Sequence, residues 1–170
     1  MGRLWTLDQN YKKGTIMGYW KASFAVGVAL SLLACGCATK TVRPVAEGLE
    51  MNHVCIKDGE SACWDGRMIG VIRDGFTRHG ISTEIYNGNA PSQCEYNLLY
   101  MCERAWDMAT YLRHAELRLY KGNTEIGYGE FHLRGGGGLD LTKFQSTKTK
   151  MDPIMDELLR SVRNNNKPSR

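Results

Sequence analysis

Two strand-like runs, residues 108–120 and 124–134, flank the pair Gly122-Asn123. That pair suits the left-handed backbone of a two-residue hairpin turn, so the runs pair with each other and set an antiparallel sheet in the second half of the chain. The remaining elements must cover one face of it. Upstream, residues 51–57, 81–86 and 95–103 read as three further strands, the last largely apolar and therefore central. Asp65 is a suitable N-cap for a helix over 66–79, with Ile69, Ile72, Phe76 and His79 facing inward and Gly80 as its left-handed stop. A last helix follows the glycines at 135–138, capped by Asp152, with Pro153 at its first position. Its apolar stripe is Ile154, Leu158 and Val162, with Met155 and Leu159 beside it. Strand, helix, four strands, helix predicts an α+β two-layer sandwich: a mixed sheet of about five strands with both helices on one face.

The N-terminal part is of another kind. Residues 22–34 are uncharged and follow a single basic residue, Lys21. A run this short falls below the roughly 20 apolar residues of a membrane-spanning helix and fits the apolar core of a secretory signal. It ends Leu32-Leu33-Ala34-Cys35, which resembles the lipobox of bacterial lipoproteins. The resemblance implies cleavage before Cys35 and acylation of its thiol, with Cys37, preceded by Gly36, as the alternative. Because neither Gly36 nor Ala38 is an aspartate, it also implies the outer membrane, with the domain in the periplasm. Met17 offers a more economical start, which makes residues 1–16 an extension or a long leader. The expected organisation is a signal peptide over 1–34, a lipidated tether over 35–50, one α+β domain over 51–163 and a polar tail over 164–170.

Charge excludes one class of function. The chain has 22 basic and 18 acidic residues, but the segment before Cys35 holds four of the former and one of the latter. The mature part is therefore nearly neutral, at +1, and a nucleic-acid partner loses its electrostatic support.

From about Val54 to Leu159, the stretches HVCIK, DGFTRHGISTEIY, CEYNLLY, RAWDMATYLRHAELRLYKGNTEIGYGEFHL and TKTKMDPIMDELL resemble a family of small proteobacterial envelope lipoproteins of unknown function. The family brings no established catalytic residues, so the resemblance implies location and fold rather than activity.

Cys55, Cys63, Cys94 and Cys102 form an even set suited to an oxidising compartment, and three pairings are possible. Matching eight-residue offsets favour Cys55 with Cys94 and Cys63 with Cys102, with the local bridges Cys55–Cys63 and Cys94–Cys102 as rivals. The resemblance points to Cys55–Cys94 as the family's bridge.

Nothing selects a catalytic residue. The glycine run lacks the Gly-Lys-Ser/Thr ending of a phosphate loop, no serine sits in a nucleophile elbow, and no cofactor is implied. His53 beside Cys55 is too little for a metal centre. His114, Glu116, Glu130 and His132 all lie on the hairpin. A plain two-residue turn sets His114 opposite Phe131 and His132 opposite Arg113, which puts the two histidines on opposite faces. A one-residue slip would unite them but oppose Glu116 to Glu130, so a solvated charged face is expected and no metal site. Trp64, Trp106, Tyr111 and Phe144 are expected in the core. The expected protein is a non-enzymatic interaction or structural module, held to the membrane by lipid and contacting a periplasmic protein. A small-ligand binder or enzyme with a scattered site is the alternative.

Overall fold

The computed structural model describes residues 38–58, 67–137 and 141–162. The expectations for the signal segment, for lipid on Cys35 or Cys37, for Cys63, Trp64 and Asp65, and for the tail lie outside the described residues. Six strands form one mixed sheet: β1 (Ala38–Arg43), β2 (His53–Lys57), β3 (Ser82–Tyr86), β4 (Tyr96–Asp107), β5 (Ala109–Lys121) and β6 (Thr124–Leu133). Their order is β1-β6-β5-β4-β2-β3, and the sheet does not close into a barrel. The first four in that order are antiparallel, while β2 runs parallel to both β4 and β3. With helices α1 (Arg67–Arg78) and α2 (Thr147–Leu158), this is an α+β sandwich. Among the described residues no helix is long and apolar enough to cross a membrane.

The sheet has one strand more than expected, taken from the supposed tether. Ala38–Arg43 adds to the outer edge of β6, with Ala38 opposite Leu133 and Arg43 opposite Tyr128. Thr39, Thr41 and Val42 are β-branched, and β6 would otherwise present a row of unpaired backbone groups. The chain then turns inward, where the Val45 N–H donates to the Leu158 carbonyl at 3.0 Å and Val45 and Met51 are buried. Ala38–Arg43 therefore belongs to the same sheet as the other described strands.

Helix α1 buries Met68, Val71, Ile72 and Phe76, a stripe rotated from the expected one, which leaves Ile69 and His79 half-buried. Gly80, at φ 73°, ends it, and the Ile81 N–H returns to the Phe76 carbonyl at 2.9 Å. Helix α2 starts a turn and a half earlier than Pro153 suggests. Ser146 is its N-cap, its Oγ accepting from the Thr149 N–H at 3.1 Å, and Pro153 lies inside the helix. The early start buries Thr147, Lys150 and Met151 as well as the expected Ile154, Met155, Leu158 and Leu159, while Val162 lies beyond the helix and is half-buried. Asp152 caps nothing and pairs instead with Arg78 at 3.1 Å and Lys148 at 3.0 Å.

Ile72 and Phe76 of α1, Ile154 and Leu158 of α2, and Leu98, Leu117, Leu119 and Phe131 of the sheet share one core. The approach of α2 to β6 depends on Gly129, where an added Cβ would stand 2.6 Å from Ile154 Cγ2. Cys55 and Cys94 are joined by a disulfide with Cα atoms 5.8 Å apart, tying β2 to the residues before β4. That excludes both local bridges, and Cys102 is disulfide-bonded too. Tyr111 is in the core, with Phe144 edge-on at 5.9 Å, but Trp106 is not. Strands β4 and β5 continue pairing to a tight turn at Met108, φ 59°, where Trp106 and Met108 stand 76% and 87% exposed.

Candidate functional site

The alternation of β5 and β6 sends Leu117, Gly129 and Phe131 towards the helices and the charged residues to the other, open face. Where those charges meet is decided by one residue. The turn begins as the sequence suggests, with Lys121 opposite Thr124 and Tyr120 opposite Glu125. Ile126 then has no partner, and pairing resumes with Leu119 opposite Gly127. This β-bulge moves the register by one, placing His114 opposite His132 and Glu116 opposite Glu130. The expectation that the histidines face opposite sides is therefore wrong.

The result is a square of side chains, with one row of two imidazoles and one of two carboxylates. His114 Nε2 lies 3.1 Å from Glu130 Oε1 and 3.6 Å from Glu116 Oε1. His132 Nδ1 lies 3.9 Å from the same Glu130 oxygen, and the two rings are 5.0 Å apart. One nitrogen from each histidine and an oxygen of Glu130 all lie within 4.8 Å of one another. None of the three residues is fully buried, so solvent reaches them.

The juxtaposed carboxylates do not repel unopposed. Arg118, next along β5 on this face, donates to Glu116 Oε2 at 2.8 and 3.2 Å and to Glu125 Oε2 at 3.1 Å. Arg43 of β1 donates to the other oxygen of Glu125. Hydrogen bonds to Glu116, then to Glu125, raise the Arg118 pKa against the effect of burial. Burial pushes the Glu125 carboxyl up, but Arg118 and Arg43 outweigh it and hold the group below the usual carboxylate range. Burial, reinforced by Glu116 and Glu130, raises the Tyr128 phenol, whose ring lies under the Arg118 guanidinium at 5.0 Å. Beside the network, Leu99, Tyr100, Met101, Glu116 and Arg118 line a depression of about 200 Å³.

Two imidazoles and a carboxylate are donors for a borderline divalent metal ion. A second cluster, His53, Cys55 and Glu84, lacks that capacity because the Cys55 sulfur is bonded to Cys94. There only an exposed pair remains, His53 and Glu84 at 3.7 Å. The sequence reading missed Arg43, Arg118 and Glu125. A signal for Arg118 was present: His114, Glu116 and Arg118 recur at every second residue, as do Tyr128, Glu130 and His132, so each set shares a face.

The architecture is thus an α+β sandwich with one face filled by helices and the other carrying an ionic network. No family model matches the chain, and no curated protein matches it. Among solved structures it is similar to a PelC dodecamer variant from Paraburkholderia phytofirmans, at 9% identity and TM-score 0.48, over 75% of this chain and 99% of that one. A second PelC dodecamer from the same organism gives 10% identity and TM-score 0.45 over the same shares. Likeness this distant leaves the fold to be read from the chain's own strand order.

Proposed function

We propose that this chain is a lipoprotein of the outer membrane, carrying a small non-enzymatic interaction domain in the periplasm. The observation that carries the reading is the Cys55–Cys94 disulfide, a bond characteristic of oxidising compartments, downstream of the Leu32-Leu33-Ala34-Cys35 motif. Because β1 begins at Ala38, an acylated Cys35 would have only Gly36 and Cys37 before the sheet, a reach of about 10 Å. The anchor would then hold the domain at the membrane surface and not on a long tether. The face that meets a periplasmic protein would include Trp106 and Met108, apolar side chains exposed at the β4–β5 turn.

Intact-mass analysis of the protein extracted from membranes tests this reading. The expected species begins at Cys35, or at Cys37, and carries three acyl chains. It has four cysteines that alkylate only after reduction. A chain that starts upstream without acylation, or one recovered in the soluble fraction, would overturn it.

A further inference from the structure

We propose that His114, Glu130 and His132 form a binding site for one divalent transition-metal ion of the zinc class on the open face of the sheet. The donors come from two adjacent paired strands, so the backbone ladder, rather than a loop, holds them together. Zinc bonds of about 2.0–2.1 Å in tetrahedral geometry set donor atoms about 3.3 Å apart. The Glu130 oxygen stands 3.1 Å from one imidazole nitrogen and 3.9 Å from a nitrogen of the other. All three donor atoms fall within 4.8 Å, and a small rotation of the more exposed His132 ring closes the triangle.

Charge supports a cation there. The network holds three carboxylates, Glu116, Glu125 and Glu130, against two guanidiniums, Arg43 and Arg118. With neutral imidazoles this leaves one formal negative charge in excess, and the guanidiniums bond Glu116 and Glu125. The negative excess therefore centres on Glu130, between two rings that offer lone pairs. Cys55, Cys94 and Cys102 are oxidised and offer no competing thiolate. The inference concerns the domain alone and holds whether or not the chain is lipidated.

The test is isothermal titration of zinc sulfate into the full chain, stripped of metal with chelator and dialysed into a non-coordinating buffer at pH 7.5. One zinc per chain is expected, with affinity falling at least about tenfold in His114→Ala, in His132→Ala and in Glu130→Gln, and unchanged in Arg160→Ala, whose guanidinium pairs with Glu157 away from the network. Zinc should also raise the thermal midpoint of the native chain and not that of the His114→Asn/His132→Asn double variant. Far-UV circular dichroism without zinc establishes that each variant is folded. No heat and no midpoint shift at millimolar zinc would overturn the proposal, as would binding that persists at full affinity in the folded double variant.

Discussion

The two faces of the sheet are built from alternate residues of the same strands and obey different rules. On the covered face, Leu98, Leu117, Leu119 and Phe131 are at most 2% exposed, and glycines are required where a helix comes close. On the open face the same strands carry His114, Glu116, Arg118 and Glu130, held by hydrogen bonds and ion pairs while still in reach of water. Shape complementarity specifies the first face and charge complementarity the second. Energy is concentrated in the first, because packing terms per residue exceed those of solvent-screened ion pairs.

Neighbouring residues of β4 give the sharpest way to break that contrast. Leu98 faces the helices at 0% exposure, and Leu99 faces the open side half-buried. Leu98→Ala should cost about 2–5 kcal/mol, through lost transfer energy and the cavity left behind. Leu99→Ala should cost about 1 kcal/mol, from partial burial alone. Urea midpoints at unchanged slope measure both. Equal losses would mean that the open face is packed against something in the folded state.

Towards β2 the open face is stapled as well as charged. Cys55 is fully buried although its neighbours Val54 and Ile56 supply the core, and its bond to Cys94 closes a loop of 39 residues in sequence. The Cys55→Ala/Cys94→Ala double variant should lose about 2–4 kcal/mol. The substitutions are preferable to a reductant, since Cys102 is also disulfide-bonded and would be released too. A loss below 1 kcal/mol would show that strand pairing alone holds β2 in place.

The covered side also holds a charge, and its response to pH should have the same sign as that on the open side but fall in the alkaline range. Lys150 is 4% exposed and donates from Nζ to the Leu112 carbonyl at 3.1 Å and to the Lys143 carbonyl. Burial, with Arg104 adding repulsion, pushes its pKa down to about 8 from 10.5. Between those values the unfolded chain binds more protons than the folded one, so stability should rise with pH. From pH 8 to 9.5 the gain should be about 1.5 kcal/mol, and it should be missing in Lys150→Met. Stability that falls over this interval equally in both proteins would show that the buried amine does not titrate early.

The difference between the faces also explains what could be read from residues alone. The stripe of α2, the stop at Gly80 and the order of elements follow from apolar periodicity and turn chemistry, which are local. Strand β1 did not, because its six residues have no apolar alternation and gain their structure from the bare edge of β6. The site failed for a similar reason: its geometry turns on Ile126, whose omission from the ladder is a tertiary choice. Yet the core pattern held the clue. A plain turn would oppose Phe131 to His114, Glu130 to Ala115 and Gly129 to Glu116. Opposing Phe131 to Ala115 and Gly129 to Leu117 instead requires one extra residue in β6. The covered face sets the register, and the open face receives whatever constellation that register produces.

The smallest effect expected is therefore on the open face itself. Glu125 accepts from Arg118 at 3.1 Å and from Arg43, but both guanidiniums are substantially exposed. Glu125→Gln should cost no more than about 1 kcal/mol at pH 7 in low salt, and less in 0.5 M salt as screening weakens the pairs. Because the folded-state pKa is depressed, the contribution is present above the usual carboxylate range and is lost as pH falls through the folded value. The gap between the native chain and the variant should close on acidification, the same sense as the alkaline gain expected from Lys150 but in the acid range. A loss of several kcal/mol that ignored both salt and acid would place Glu125 among the packing residues, and the division between a face specified by shape and one specified by charge would fail at β6.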